Sequence, residues 1–241
     1  MVQVEGANQV QDSSTSFLGE QDIPWNEKWK EMLAHLLKMH DLFAQLQYIT
    51  NGILPAMQSF NEGQMGGEAD IMNKLSRLLK DENDIQAAFN AMKDPNYPDP
   101  NGITKKAIDA ADDILKILRS DPAFKNNKDL LSTAETQLGQ IFGVDLSNGG
   151  TLPDNNPINY WAKWDQAWKA AAPGAGSSNA AITAYNQSFT ALSTDFNSQS
   201  SIAQSMFKDF EAKEQQYLGI EQSMASNIIK GEEAANNGIA K

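Results

Sequence analysis

Cysteine is absent from this 241-residue sequence, and histidine occurs only twice. Without cysteine, the chain can form no disulfide and offers no thiolate nucleophile or thiolate metal ligand. Two histidines leave little scope for histidine-based catalysis or metal binding. We therefore expect no metal and no cofactor.

Long hydrophobic runs and basic residues are also scarce. No apolar stretch reaches the roughly 18 residues that a membrane-spanning helix requires, so we expect no integral membrane span. The 19 Lys and Arg face 31 Asp and Glu, which gives a formal net charge of −12. Nucleic acids and anionic membranes bind clustered basic side chains, so this charge argues against both as main partners.

Motifs that would indicate an enzyme are missing as well. The sequence contains no glycine-rich phosphate loop and no nucleophile elbow. We expect a protein that is not an enzyme, although a site built only from Asp and Glu stays open.

The strongest pattern present is a heptad repeat over residues 24–60. Apolar residues recur there in alternating steps of four and three, which predicts one long helix with a coiled-coil seam. Gly52 and Pro55 interrupt it, so we expect a kink at that point. The seam includes Trp29, Leu36, Phe43, Leu46 and Ile53.

A second heptad repeat covers residues 178–233 and predicts a still longer helix. We expect the two seams to pack lengthwise against each other or against another copy of the chain, because neither helix is stable in water with its apolar stripe exposed. The second seam includes Phe189, Phe196, Met206, Phe210, Tyr217 and Ile220.

The middle of the chain is predicted to be helical too. Residues 68–93 form a third heptad stretch, preceded by a glycine-rich segment, 60–67, that should turn the chain. Further helices are predicted over 104–119, 128–142 and 158–172, and residues 144–146 are the only weak strand candidate. The pattern predicts an all-α fold: an elongated helical bundle built on a coiled coil of long N-terminal and C-terminal helices.

One predicted helix carries a concentration of aromatic residues, Tyr160, Trp161, Trp164 and Trp168. The three tryptophans are spaced three and four apart and therefore share a helix face. They either pack as a lid over the bundle or form a docking surface, since Trp and Tyr are enriched at binding hot spots. Exposure of Trp164 distinguishes the two interpretations.

The domain organisation follows from these elements. We expect one elongated helical domain over residues 22–236, with 61–177 as a helical insertion between the terminal helices, and a short tail over 237–241. Residues 1–21 are polar and carry no Lys or Arg. They lack the basic start and apolar stretch of a Sec signal, and they are predicted to be a disordered tail or an uncleaved export segment.

This layout resembles the hydrophilic secreted components of type III secretion systems, namely the filament protein of enteropathogens and the needle-tip proteins. The resemblance lies in the polar, basic-free start, the heptad helices over 22–60 and 178–235, and the acidic, cysteine-free composition. It implies an antiparallel coiled coil of the terminal helices, export by a non-Sec route, and a role in polymerisation or receptor docking.

We therefore expect a secreted or cell-surface helical interaction protein, acting as a tip, filament or effector component. Its partners would be secretion-system proteins, host proteins or further copies of the chain in a homo-oligomer. A cytoplasmic helical scaffold or adaptor with the same fold remains the alternative.

Overall fold

The computed structural model describes residues 22–40, 42–94, 96–152, 157–172 and 179–239. Helices account for most of these residues and no strand occurs among them, which confirms the all-α prediction. The α-helices are α1 (Asp22–Lys38), α2 (Leu42–Tyr48), α3 (Leu54–Ala91), α4 (Pro100–Ser120), α5 (Lys128–Phe142), α6 (Pro157–Ala171) and α7 (Ala180–Ile239).

Two long antiparallel helices, α3 and α7, form the backbone of the fold. Near the end of α3, the rings of Phe89 and Phe189 lie 5.7 Å apart between centroids. Near its start, the Gln58 amide donates a hydrogen bond to Glu221 at 3.4 Å. The 60 residues of α7 span about 90 Å at 1.5 Å per residue, so α7 is the longest element of the described chain.

Helices α4 and α5 complete a four-helix bundle with α3 and α7. The Asp99 carboxylate accepts from the amide of Gly102 at 2.9 Å and so caps α4, whose first turn also carries Pro100. Asn127 caps α5 by accepting from the Leu130 amide at 3.1 Å. Gly143 ends α5 in the left-handed conformation, φ 65°, which glycine adopts without strain. The predicted bounds 128–142 are therefore confirmed.

The predicted single helix over 24–60 is wrong. The chain leaves helical structure after Lys38, resumes in α2, and passes through a π-helical turn, Ile49–Ile53, before α3 begins. The expected irregularity near Gly52 and Pro55 is thus present, as a π-turn within a continuing helical path. Pro55 has no N–H for the usual helical bond and clashes with the carbonyl four residues earlier, which accounts for the altered hydrogen bonding.

The predicted turn over 60–67 is also wrong, because α3 runs through this segment without interruption. Glycine weakens a helix by about 1 kcal/mol per residue, but tertiary packing overrides such propensities. Asn61 is 2 % exposed, and its amide donates to the carbonyl of Phe210 at 2.8 Å and to Glu214 at 3.1 Å. These contacts tie the glycine-rich segment to α7 as helix.

The principal partner of α7 is consequently the segment 54–91, not the segment 24–60 as a whole. Of the first seam, Ile53 is buried, Trp29, Leu36 and Leu46 are half-buried, and Phe43 lies outside the described side chains. Along α7, exposure of the second seam rises with distance from the bundle: Phe189 and Phe196 are buried, Met206, Phe210 and Tyr217 are half-buried, and Ile220 is 47 % exposed.

The weak strand candidate, residues 144–146, is a loop that leads into a short 3₁₀ turn, Ser147–Gly149. Arg119 fastens this loop by donating to Glu135 at 2.8 Å and to the carbonyl of Leu146 at 2.8 Å. The prediction for the tail 1–21 lies outside the described residues, as do residues 240–241 of the predicted tail 237–241. Residues 237–239 of that tail continue α7 instead.

Candidate functional site

The aromatic helix α6 packs mainly against α4 and also contacts α7, and two of its indoles reach the C-terminal ends of α5 and α3. The indole N–H of Trp164 donates to the carbonyl of Ile141 at 3.0 Å, and that of Trp168 donates to the carbonyl of Phe89 at 2.8 Å. Phe142 packs edge-on against Tyr160 with centroids 5.2 Å apart. These bonds satisfy the polar atoms of large side chains inside the core.

The docking interpretation is wrong for Tyr160 and Trp164, which are 2 % and 0 % exposed. Trp161 and Trp168 are half-buried and pack against the same core. Tyr160 and Trp164 are therefore core residues, whereas the docking interpretation stays a prediction for the half-buried Trp161 and Trp168. A buried indole cannot meet a partner without opening the bundle.

Exposed apolar side chains concentrate instead on the outer half of α7. Leu218, Gln222, Ala225 and Ile229 follow steps of four, three and four and are all exposed, Leu218 to 37 % and Ile229 to 56 %. We call these four residues the outer row. They form a heptad stripe beside the surface that contacts α3, and Ile229 lines a shallow depression of about 470 Å³ with Ala225 and Gln222.

In contrast to the exposed apolar residues of α7, acidic and amide side chains are buried on the inward-facing surface of α3. Glu68 is fully buried, and both its carboxylate oxygens lack a hydrogen-bond partner. Glu82 is 2 % exposed. Burial raises the pKa of each of these glutamates from 4.5 to about 7, because desolvation disfavours the charged form.

A third acid, Asp81, lies beside the neighbouring helix α4. Its pKa is raised to about 6, first by burial and then by its hydrogen bond with Asp113. Asp113 in turn pairs with Arg77, whose Nε lies 2.6 Å from its Oδ2. The second carboxylate oxygen of Asp81 is buried and unpartnered. When Asp81 is protonated, below about pH 6, its proton lies in the hydrogen bond to Asp113.

Glu82 also forms part of a groove of about 410 Å³ between α3 and α7. The remaining lining is mostly hydroxyl and amide side chains, and it includes the fully buried residue Phe189. The chemistry of this groove is that of a polar binding surface around a single carboxylate. The lining residues are Glu82, Asn83, Gln86, Phe189, Thr190, Ser193, Thr194 and Asn197.

The heptad pattern contained a signal for these buried acids. The stretch 71–92 already has Glu82 at a seam position, and extending the same alternation back from Ile71 reaches Glu68, Gln64 and Asn61. Because a turn was predicted over 60–67, the heptad pattern was not followed through these residues. A polar residue at a heptad seam position is therefore the feature that would have identified Glu68 as buried.

Neither a metal centre nor a membrane segment emerges from the described part of the chain. No group of three or more His, Cys, Asp or Glu side chains there is arranged to hold a metal ion. No helix among the same residues is long and apolar enough to cross a bilayer. Comparison with protein-family models, with curated proteins and with solved structures gives no match.

Proposed function

We propose that this protein is a non-enzymatic, exported helical interaction protein whose contact surface is the outer row of α7. The observation that carries the proposal is the exposure of heptad-spaced apolar side chains on a helix that is otherwise anchored in a bundle. Leu218 and Ile229 together give this row two large apolar anchors. A helix presenting such a stripe supports binding to the apolar face of another helix.

The charge around the outer row favours a partner with basic flanks. Glu211, Glu214 and Glu221 outnumber Lys213 and Lys230 along the same half of α7, and the whole chain carries a net charge of −12. A second copy would meet the same negative charge, whereas a basic amphipathic helix would meet complementary charge. The proposed occupant is therefore a helix of another protein that carries an apolar stripe between Lys or Arg residues.

A synthetic peptide tests this contact directly. The probe is a fluorescein-labelled helix with leucine at heptad seam positions and lysine elsewhere, titrated with the protein by fluorescence anisotropy. We expect saturable binding that the double variant Leu218→Ser/Ile229→Ser weakens about tenfold, since two buried apolar side chains contribute at least 1.4 kcal/mol.

The matched control is Ile158→Ser/Ile202→Ser, which removes two exposed isoleucines elsewhere, 56 % and 38 % exposed. It should bind like the unmodified protein. Equal binding by both double variants, or equal binding of a peptide with scrambled lysines and leucines, would show that only net charge attracts the probe. A protein that sediments as a dimer, and loses this state in the outer-row variant, would identify a second copy as the occupant instead.

The export part of the proposal rests on the polar, basic-free start of the chain and on the resemblance to type III secreted components. Secretion of a reporter fused to residues 1–25 tests it. Retention of that fusion inside a secretion-competent cell would contradict export and favour a cytoplasmic scaffold, while leaving the contact surface on α7 unaffected.

A further inference from the structure

The groove between α3 and α7 is distinct from the outer row and has its own chemistry. Ser193 and Thr194 of α7 supply hydroxyl groups beside the carboxylate of Glu82, and Asn197 supplies an amide. The Asn197 amide donates to the hydroxyl of Ser193 at 3.4 Å and to its carbonyl at 2.8 Å. Since the Ser193 oxygen accepts this bond, the hydrogen of its hydroxyl group remains available for donation. The groove therefore stays polar.

Glu82 is the residue that determines which ligands this groove favours. Glu82 is 2 % exposed, and its carboxylate forms no hydrogen bond or ion pair within the described residues, although its oxygens are not fully enclosed and reach the groove. A carboxylate held mostly out of water without a protein partner is costly, since water solvates its charge only in part. A ligand that brings a positive charge and N–H donors would remove this cost.

We propose that the groove at Glu82 binds a primary ammonium group. One carboxylate balances one monovalent cation, and the surrounding hydroxyl and amide oxygens accept the remaining N–H bonds of an ammonium. A divalent metal is disfavoured because calcium and magnesium sites recruit several carboxylates, and the groove supplies one.

Titration with n-pentylammonium at pH 8 tests the site. The chain is labelled with ¹⁵N, and the backbone amides of Thr190, Ser193, Thr194 and Asn197 are followed by NMR. We expect saturable shifts of these amides, and we expect Glu82→Gln to weaken binding about tenfold, since it removes the negative charge that the ammonium balances. Ser193→Ala should weaken binding by a smaller factor and serves as a second variant if Glu82→Gln does not fold.

Glu68→Gln is the matched control, because Glu68 is also a buried glutamate of α3, with both carboxylate oxygens enclosed and unpartnered, but does not line the groove. It should bind pentylammonium as the unmodified protein does. The neutral analogue n-pentanol should cause no saturable shift. Unsaturable shifts with the amine, unchanged affinity in Glu82→Gln, or equal loss in Glu68→Gln would each overturn the proposal.

The ammonium has two sources, a free amine or a lysine side chain of a protein. A short peptide, acetyl-Ala-Lys-Ala-amide, distinguishes them in the same experiment. Tighter binding of the peptide than of pentylammonium identifies a lysine, and the reverse identifies a small amine. Neither result depends on the outer row of α7, so this site and the proposed contact surface succeed or fail separately.

Discussion

Asn61 and Glu214 meet across the interface of α3 and α7, where the Asn61 amide donates to the Glu214 carboxylate at 3.1 Å. The same amide group reaches the carbonyl of Phe210 at 2.8 Å. Asn61 is buried to 98 %, so both bonds form away from bulk water. This contact fixes the register of two long helices at a point where the glycine content of α3 would otherwise favour a turn.

Replacing Asn61 by alanine should therefore destabilise the protein by about 1–3 kcal/mol, because Glu214 and the Phe210 carbonyl lose a buried donor. Urea unfolding followed by circular dichroism measures the loss. Asn90→Ala is the control, since Asn90 is exposed on the same helix, and its effect should stay within about 0.5 kcal/mol. Equal effects of both variants would contradict a register-fixing role for Asn61.

The buried glutamates predict that stability falls as pH rises. Glu68 and Glu82 have folded-state pKa values of about 7 and ordinary values of 4.5. The folded state therefore binds more protons than the unfolded state between these values, so the stability that they contribute is complete below pH 4.5 and is lost as pH rises through 7.

Glu68→Gln should remove part of this dependence and raise stability at pH 8 by roughly 2 kcal/mol, since an uncharged amide replaces a desolvated carboxylate. Urea unfolding midpoints at pH 5, 6, 7 and 8 measure it. The control Glu62→Gln alters an exposed glutamate one turn and a half earlier on α3 and should leave the profile unchanged. A profile in which Glu68→Gln parallels the unmodified protein would show that Glu68 does not titrate in this range.

Trp164→Ala should destabilise the bundle by about 3–5 kcal/mol, because it removes a fully buried ring and leaves a cavity. Thermal unfolding followed by circular dichroism detects this as a large fall in melting temperature. Ile158→Ala changes an exposed residue of the same helix, 56 % exposed, and should have little effect. A folded, equally stable Trp164→Ala variant would restore the docking interpretation of the aromatic helix.

Arg119→Lys should destabilise the protein by about 2 kcal/mol, because lysine lacks the planar fork that reaches Glu135 and the Leu146 carbonyl together. Arg77→Lys is the matched control: Arg77 also pairs with a carboxylate, that of Asp113, but its side chain is 62 % exposed. Exposed ion pairs contribute about 1 kcal/mol or less. Denaturant unfolding of the two variants side by side measures the difference.

Much of the fold was predictable from heptad spacing, loop residues and caps. The bounds of α5 follow from its apolar periodicity and from the turn signals on either side, and the structure reproduces them. The helix predicted over 104–119 is present too, although α4 begins earlier, at Pro100, because proline is favourable in a first helical turn. Local sequence signals predict the helices correctly wherever helix propensity and tertiary packing favour the same structure.

Predictions failed where long-range contacts override local propensity. Residues 60–67 have the composition of a turn, but Asn61 and Gln64 are buried in the α3–α7 interface and hold the segment helical. The segment that packs against α7 is therefore 54–91 and not 24–60. The buried state of Trp164 likewise depends on Ile141 and Phe142 of another helix, which no pattern within 157–171 reveals.

Both the outer row and the Glu82 groove require that α3 is one helix lying antiparallel to α7. Since the chain contains no cysteine, pairs of cysteines can be introduced without competing thiols. Gln58→Cys/Glu221→Cys places two thiols where the native side chains lie 3.4 Å apart, and Gln58→Cys/Gln222→Cys moves the second thiol onto the exposed outer row.

Treatment with a short bismaleimide, read by mass spectrometry and gel electrophoresis, is the most direct test of this arrangement. We predict rapid crosslinking within one chain for the 58–221 pair and much slower crosslinking for the 58–222 pair. Equal rates for the two pairs, or crosslinks that form only between two chains, would contradict the antiparallel pairing on which the outer row and the Glu82 groove both rest.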